Sequence, residues 1–167
     1  MTGHGWRAAA WARGGVPVLL VGFILVTGAL LRRRFVAVVV RGVSMEPAYR
    51  DGDRVLVRRE AALVPGRVVV VERPDSSSGW TALPLSADAG PRDVSGREWM
   101  IKRVAAVPGN PVPRDTVPAP HNAPGVRVPP EHLVLLGDNR DHSFDSRQAG
   151  YFPAERVLGV ALRLSGR

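Results

Sequence analysis

No cysteine occurs anywhere in the 167 residues. That absence excludes a disulfide framework, a thiolate nucleophile and a zinc–thiolate site, and leaves nothing to report the redox compartment. Lysine is almost as scarce: of 23 strongly basic side chains a single one, Lys102, is not arginine. Long segments of helical period are missing as well. Valine, glycine and proline are plentiful instead, so the folded part reads as mainly β. Acidic residues are outnumbered, 15 against 23, for a formal net charge of +8, but the arginines are scattered along the chain. Such scatter describes a solvated or membrane-adjacent surface and argues against nucleic acid as a partner. The length suits one domain with an anchor.

Scarcity makes Lys102 conspicuous. Arginine stays protonated at any reachable pH, whereas a lysine amine set among apolar neighbours can lose its proton and act as a base. Lys102 sits in a strand-like run, 98–110, beside Met100, Ile101 and Val104. The plain alternative is a composition bias that leaves one lysine by chance. A base requires a nucleophile, and a serine hydroxyl attacks an amide only when a neighbour takes its proton. Histidine stands only at 4, 121, 132 and 142, so such neighbours are few. Ser44 lies between Gly42-Val43 and Met45-Glu46-Pro47. A serine there can be presented at the end of a strand, with the glycine admitting a substrate backbone, although most serines beside turns are only turn residues. Paired serine and lysine are an attested form of serine-protease machinery.

At the amino terminus, residues 1–13 form a short basic tail carrying Trp6 and Trp11, and residues 14–31 hold no charge. Eighteen such residues just suffice for a membrane span, which takes about 20 and tolerates about 17. A cleaved leader would have a shorter apolar centre and a small-x-small site, where this chain has Arg32-Arg33-Arg34. The reading is one uncleaved span. Those arginines, with Arg41, set the charge rule for orientation against an extracytoplasmic domain, while Arg7 and Arg13 favour it.

Beyond the span, residues 35–167 read as a β-rich domain. Strands are expected over 35–41, 54–58, 68–71, around Lys102, and over 133–136 and 157–164. Residues 74–98 have the Ser, Gly, Pro and Asp content of an exposed loop or loose hairpin. The prolines between 108 and 130 preclude a helix there. Residues 137–147 form a polar loop after a buried strand, a common carrier of function.

Three stretches together carry a likeness. Gly42-Val-Ser-Met-Glu-Pro47 with Asp51-Gly-Asp-Arg-Val-Leu-Val57, then Ile101-Lys-Arg-Val104 with Pro108-Gly109, then Gly137-Asp-Asn-Arg140 through Ser143, Asp145, Ser146 and Arg147 resemble the three boxes of the type I signal peptidases. These are membrane-bound Ser/Lys proteases that cut leader peptides from exported proteins. The resemblance implies an antiparallel β-sheet catalytic domain behind one transmembrane helix, with no metal or cofactor. Ser44 would be the nucleophile and Lys102 the general base. Ser143 would hydrogen-bond the amine, and Asp145 and Arg147 would pair to hold the loop, a bidentate geometry that suits arginine. Gly42 stands where some members have a serine that aids the oxyanion, which leaves that work to the Ser44 N–H. Val40, Met45, Tyr49, Met100 and Ile101 would line shallow pockets for the alanine-sized side chains of Ala-x-Ala sites, or serve as core. The chain departs from the family pattern at Ala48, Tyr49, Ala106 and Asn110, which bears on substrate range. Partners would be the signal peptides of preproteins and the lipid bilayer. Because leader cleavage sites emerge on the outer face, the resemblance puts the catalytic domain there, single-pass and extracytoplasmic. Two rivals remain: a dedicated maturation protease with the same dyad and a narrow clientele, and a catalytically dead membrane-tethered binding module. Repressor autoproteases share the dyad, but they carry a helical DNA-binding domain that this chain lacks.

Overall fold

The computed structural model of the chain describes residues 34–75, 79–86, 89–117 and 126–163, together with Val21, Phe23 and Gly28. Two compact units divide it, Met1–Arg32 and Arg33–Arg167. The expected span over 14–31 lies outside the described residues except at those three isolated positions. Among the described residues no helix is long and apolar enough to cross a membrane.

The larger unit is built on one sheet of seven strands. They are β1 (Phe35–Val39), β2 (Arg54–Arg58), β3 (Val68–Glu72), β4 (Trp99–Ala106), β5 (His132–Leu136), β6 (Phe152–Pro153) and β7 (Val157–Arg163). Their order across the sheet is β1-β2-β7-β3-β4-β5-β6, every pair antiparallel. Alternation explains β2: Val55 and Val57 are buried while Arg54 and Arg58 face out. β3 is buried at every position because it lies between β7 and β4 with a core on each face. Val68 and Val70 join Val40, Met45, Val55, Val57 and Ile101 on one face. Val69 and Val71 meet Val104, Leu133, Leu135 and Phe152 on the other. Each fully buried valine contributes roughly 1.5–3 kcal/mol, so this strand is the anchor on which β4 and Lys102 are held.

Within 74–98, where a loop or loose hairpin is expected, the described residues include the short helix α1 (Pro91–Ser95), entered through Pro91 and the Asp93 carboxylate, which accepts from the Gly90 N–H at 2.8 Å. Arg97 ties the stretch down, donating to both oxygens of Glu72 at 2.8 and 2.9 Å and to the Leu83 carbonyl at 2.6 Å. Trp80 packs edge-on against Phe152, and Trp99 donates to the Val94 carbonyl at 2.8 Å. Composition concealed this because the anchoring groups, two tryptophans and one arginine, are few among many turn residues. The two-residue strand β6 also went unanticipated.

Strand β7 passes close to β2 at Gly159. A Cβ added at Gly159 would overlap the Arg58 carbonyl oxygen, and Val57 Cγ1 would lie 2.9 Å away. Gly159→Ala is therefore expected to cost about 1–3 kcal/mol of stability, measured by denaturant unfolding of the full chain; an unchanged midpoint would show that the two strands are not held this tightly.

Candidate active site

β1 runs into a tight turn carrying Ser44, and local chemistry shapes that turn. Gly42 has φ +81°, a left-handed conformation costly for other residues, and its N–H donates to Asp51 Oδ1 at 2.7 Å. The Glu46 N–H closes the turn on the Val43 carbonyl at 3.1 Å. Ser44 thus stands half-buried at the mouth of a groove of about 870 Å³. The groove's walls include Val36–Val39 of β1 and Trp99–Lys102 of β4. β5 pairs with β4 only from Arg103 onward, and β1 ends the strand order, so among the described residues both walls present uncovered strand edges.

Lys102, 3% exposed, donates from Nζ to Ser44 Oγ at 2.9 Å. Burial pushes its pKa down from 10.5 to about 8. Asp145 acts against that shift, while Arg147 and Arg73 reinforce it.

The third-box loop completes the site. Asp145 is fully buried, and five donors surround it. Oδ2 accepts from the Gly137 N–H (2.8 Å), Ser143 Oγ (2.7 Å) and Arg147 Nη2 (2.6 Å); Oδ1 accepts from Arg147 Nε (2.9 Å) and the Arg147 N–H (3.1 Å). Burial raises its pKa, but Arg147, the Gly137 N–H and Ser143 outweigh burial and hold the carboxyl below the usual range. Asp145 also caps helix α2 (Ser146–Ala149), and the Asp145 N–H donates to Gln148 Oε1 at 3.0 Å, a reciprocal cap written in the run Asp145-Ser-Arg-Gln148. The Asp145–Arg147 pair is bidentate and buried, unlike an exposed surface pair worth little.

Several sequence expectations change here. Ser143 donates its proton to the Asp145 carboxylate, the charged acceptor, and among the described residues the Lys102 amine meets Ser44 Oγ rather than Ser143. Met100 and Ile101 do line the groove. Met45 and Tyr49 do not, because the turn after Ser44 rolls them under β1 into the core, at 1% and 8% exposure. Val40, also core, borders a recess of about 20 Å³ behind the groove, with Ile101 and Val70.

Sequence reading missed three supports. Arg103 pairs bidentately with Asp138 at 2.8 and 2.6 Å, joining the strand of Lys102 to the third loop. Gly137 has no room for a side chain: a Cβ there would overlap Ser143 and come within 2.7 Å of the Ser44 carbonyl oxygen. Asn139 bonds that same carbonyl through its N–H at 3.0 Å and the Val43 carbonyl through Nδ2 at 3.1 Å. Opposite charges in adjacent boxes were a signal for the first; the other two depend on contacts 93–96 residues apart, such as Asn139 with Val43, which no local pattern announces.

Comparison with known proteins gives the family of the chain. The family described as signal peptidase, peptidase S26, matches residues 11–118 and 114–164. The chain is 30% identical over 171 residues to the probable signal peptidase I-1 of Synechocystis sp., covering 88% of this chain and 79% of that protein. With the probable signal peptidase I-2 of the same organism it shares 27% over 168 residues, 86% and 71% of the two chains. A shorter stretch of 37 residues is 46% identical to the signal peptidase I of Buchnera aphidicola, spanning 22% of this chain and 12% of that one. By these matches the chain belongs to the peptidase S26 family of signal peptidases.

Proposed function

We propose that Ser44 and Lys102 form the catalytic dyad by which this serine endopeptidase removes signal peptides. The observation that carries the reading is the 2.9 Å approach of the chain's one lysine, 3% exposed, to Ser44 Oγ. With Lys102 neutral, its lone pair accepts the Ser44 proton as Oγ attacks the scissile carbonyl carbon. The negative oxygen of the tetrahedral adduct faces the Ser44 N–H. Lys102, now an ammonium, returns the proton to the leaving amine, and the acyl-enzyme remains. A water molecule, deprotonated by the same amine, then releases the leader and restores Ser44.

The supporting groups keep this amine in place and disfavour its charged form. Asp145 would hold Lys102 as ammonium if its charge stood alone; Arg147 neutralises it and repels the amine directly. An extended leader adds as a strand between the free edges of β1 and β4, in main-chain register with both. Met100, Ile101 and the small recess beside Val40 favour short side chains there. In this reading the uncharged stretch 14–31 anchors the enzyme as a single span, with the catalytic unit on the extracytoplasmic face where leaders emerge.

Ser44→Ala and Lys102→Ala should each lower kcat on a leader peptide by at least about 10³-fold, and Lys102→Arg should fail equally, since arginine cannot accept the proton. An active Lys102→Arg enzyme would exclude the general-base role.

Because the neutral amine is the working form, kcat/KM should rise with pH through about 8, an acid limb read from a pH–rate profile. Arg147→Met removes a repelling charge and unmasks Asp145, so that limb should move to higher pH; movement to lower pH would contradict the assigned electrostatics.

A further inference from the structure

With Gly42 two residues before Ser44, no side-chain hydroxyl stands at that position, and on the proposed reading the Ser44 N–H is the donor that faces the oxyanion. How the N–H is aimed then decides the rate. Within a planar trans peptide the C=O and N–H point in opposite directions, so fixing one fixes the other. The N–H of Ser44 shares its peptide unit with the carbonyl of Val43. That carbonyl is held from two sides, by the Glu46 N–H at 3.1 Å inside the turn and by Asn139 Nδ2 at 3.1 Å from the third loop. Asn139 also fixes the next unit, its backbone N–H donating to the Ser44 carbonyl at 3.0 Å. Its amide is oriented by the Val43 carbonyl, which can only accept and so takes Nδ2 at 3.1 Å, leaving Oδ1 toward His142 Nδ1 at 3.3 Å. Among the described residues the Ser44 N–H itself has no partner.

We propose that Asn139 is a positioning residue that aims the Ser44 N–H at the developing oxyanion by anchoring the Val43 carbonyl from the opposite side. The inference rests on the reading of Ser44 as nucleophile. Asn139 touches no reacting atom; it removes the freedom of one peptide plane to tilt. The Glu46 N–H alone leaves that plane free to rock about the turn, and the donor then meets the transition state at a poorer angle. Substrate in its ground state has no developed charge on that oxygen and is bound by the strand edges, so the effect falls on kcat rather than on KM.

The test uses the full-length, detergent-solubilised protein and two variants of matching size that lack the donor, Asn139→Asp and Asn139→Leu. Three quantities are measured: kcat and KM on a leader peptide; affinity for a peptide boronic acid, whose serine adduct places an oxygen in the oxyanion position; and affinity for an uncleavable peptide that only fills the groove. Losing an oxyanion donor outright costs about 10²–10³ in kcat, and misaiming one should cost about 10–100-fold. The expected result is that fall in kcat for both variants, a parallel fall in boronate affinity, and KM and groove-peptide affinity changed by less than about twofold. Boronate affinity unchanged while kcat falls, or KM rising while kcat holds, would overturn the proposal. Ser44→Ala run alongside separates the two claims: cleavage by that variant would remove the nucleophile itself, and with it any role for Asn139 in aiming its N–H.

Discussion

An ammonium group taken out of water is the constraint around which this molecule is arranged. Lys102 is almost wholly buried against Ser44 Oγ, and its pKa falls from 10.5 to about 8. That fall corresponds to roughly 3 kcal/mol of preference for the neutral form. The same quantity is a charge against folding near neutral pH: the unfolded chain holds the proton up to its ordinary pKa, so stability is lowest below about 8 and recovers as pH rises toward 10.5. A fold tolerates such a cost only where it secures something. Here, on the proposed reading, it leaves an amine that can give up its proton near pH 8 instead of near 10.5.

The rest of the site follows from keeping that amine dry, neutral and aimed. Dryness comes from β4, set against the fully buried β3 between two hydrophobic clusters. Neutrality depends on how Asp145 is treated. A buried carboxylate near the amine would stabilise its charge, and the Arg147 fork spends that carboxylate on a bidentate pair while its other donors, Gly137 and Ser143, lock the loop. Aim comes from the third loop gripping the first: Gly137 packs against the Ser44 carbonyl, Asn139 bonds it, and Arg103 with Asp138 ties both to the lysine strand. Three segments distant in sequence therefore behave as one piece, and each is shaped by a residue with no chemistry of its own.

Much of this was legible in the chain. The lone lysine in an arginine-rich protein, the glycine–serine–proline turn and the Asp-Ser-Arg cap each carry a local chemical signature, and together they resembled a known machinery. Strand positions followed from alternation at Val55 and Val57 and from the valine run of β3. What escaped was set by long-range geometry. Helix α1 hid in a loop-like composition because its anchors, Arg97 to Glu72 and Trp99 to Val94, show only once β3 and β4 are paired. The partner of the Ser143 proton depends on where Asp145 lies, which no local pattern gives. Met45 and Tyr49 could be pocket or core on sequence alone, because sequence gives no account of which way a turn rolls; they lie in the core.

Because Lys102 is the one lysine in the chain, its amine can be observed alone. Isotope labelling of lysine in the full-length protein yields one side-chain signal, and following its chemical shift with pH reads the protonation of this group without interference. The account predicts a midpoint near 8, moving when Ser44 is acylated; a midpoint at the ordinary 10.5 would show a charged, hydrated amine and would contradict the dyad.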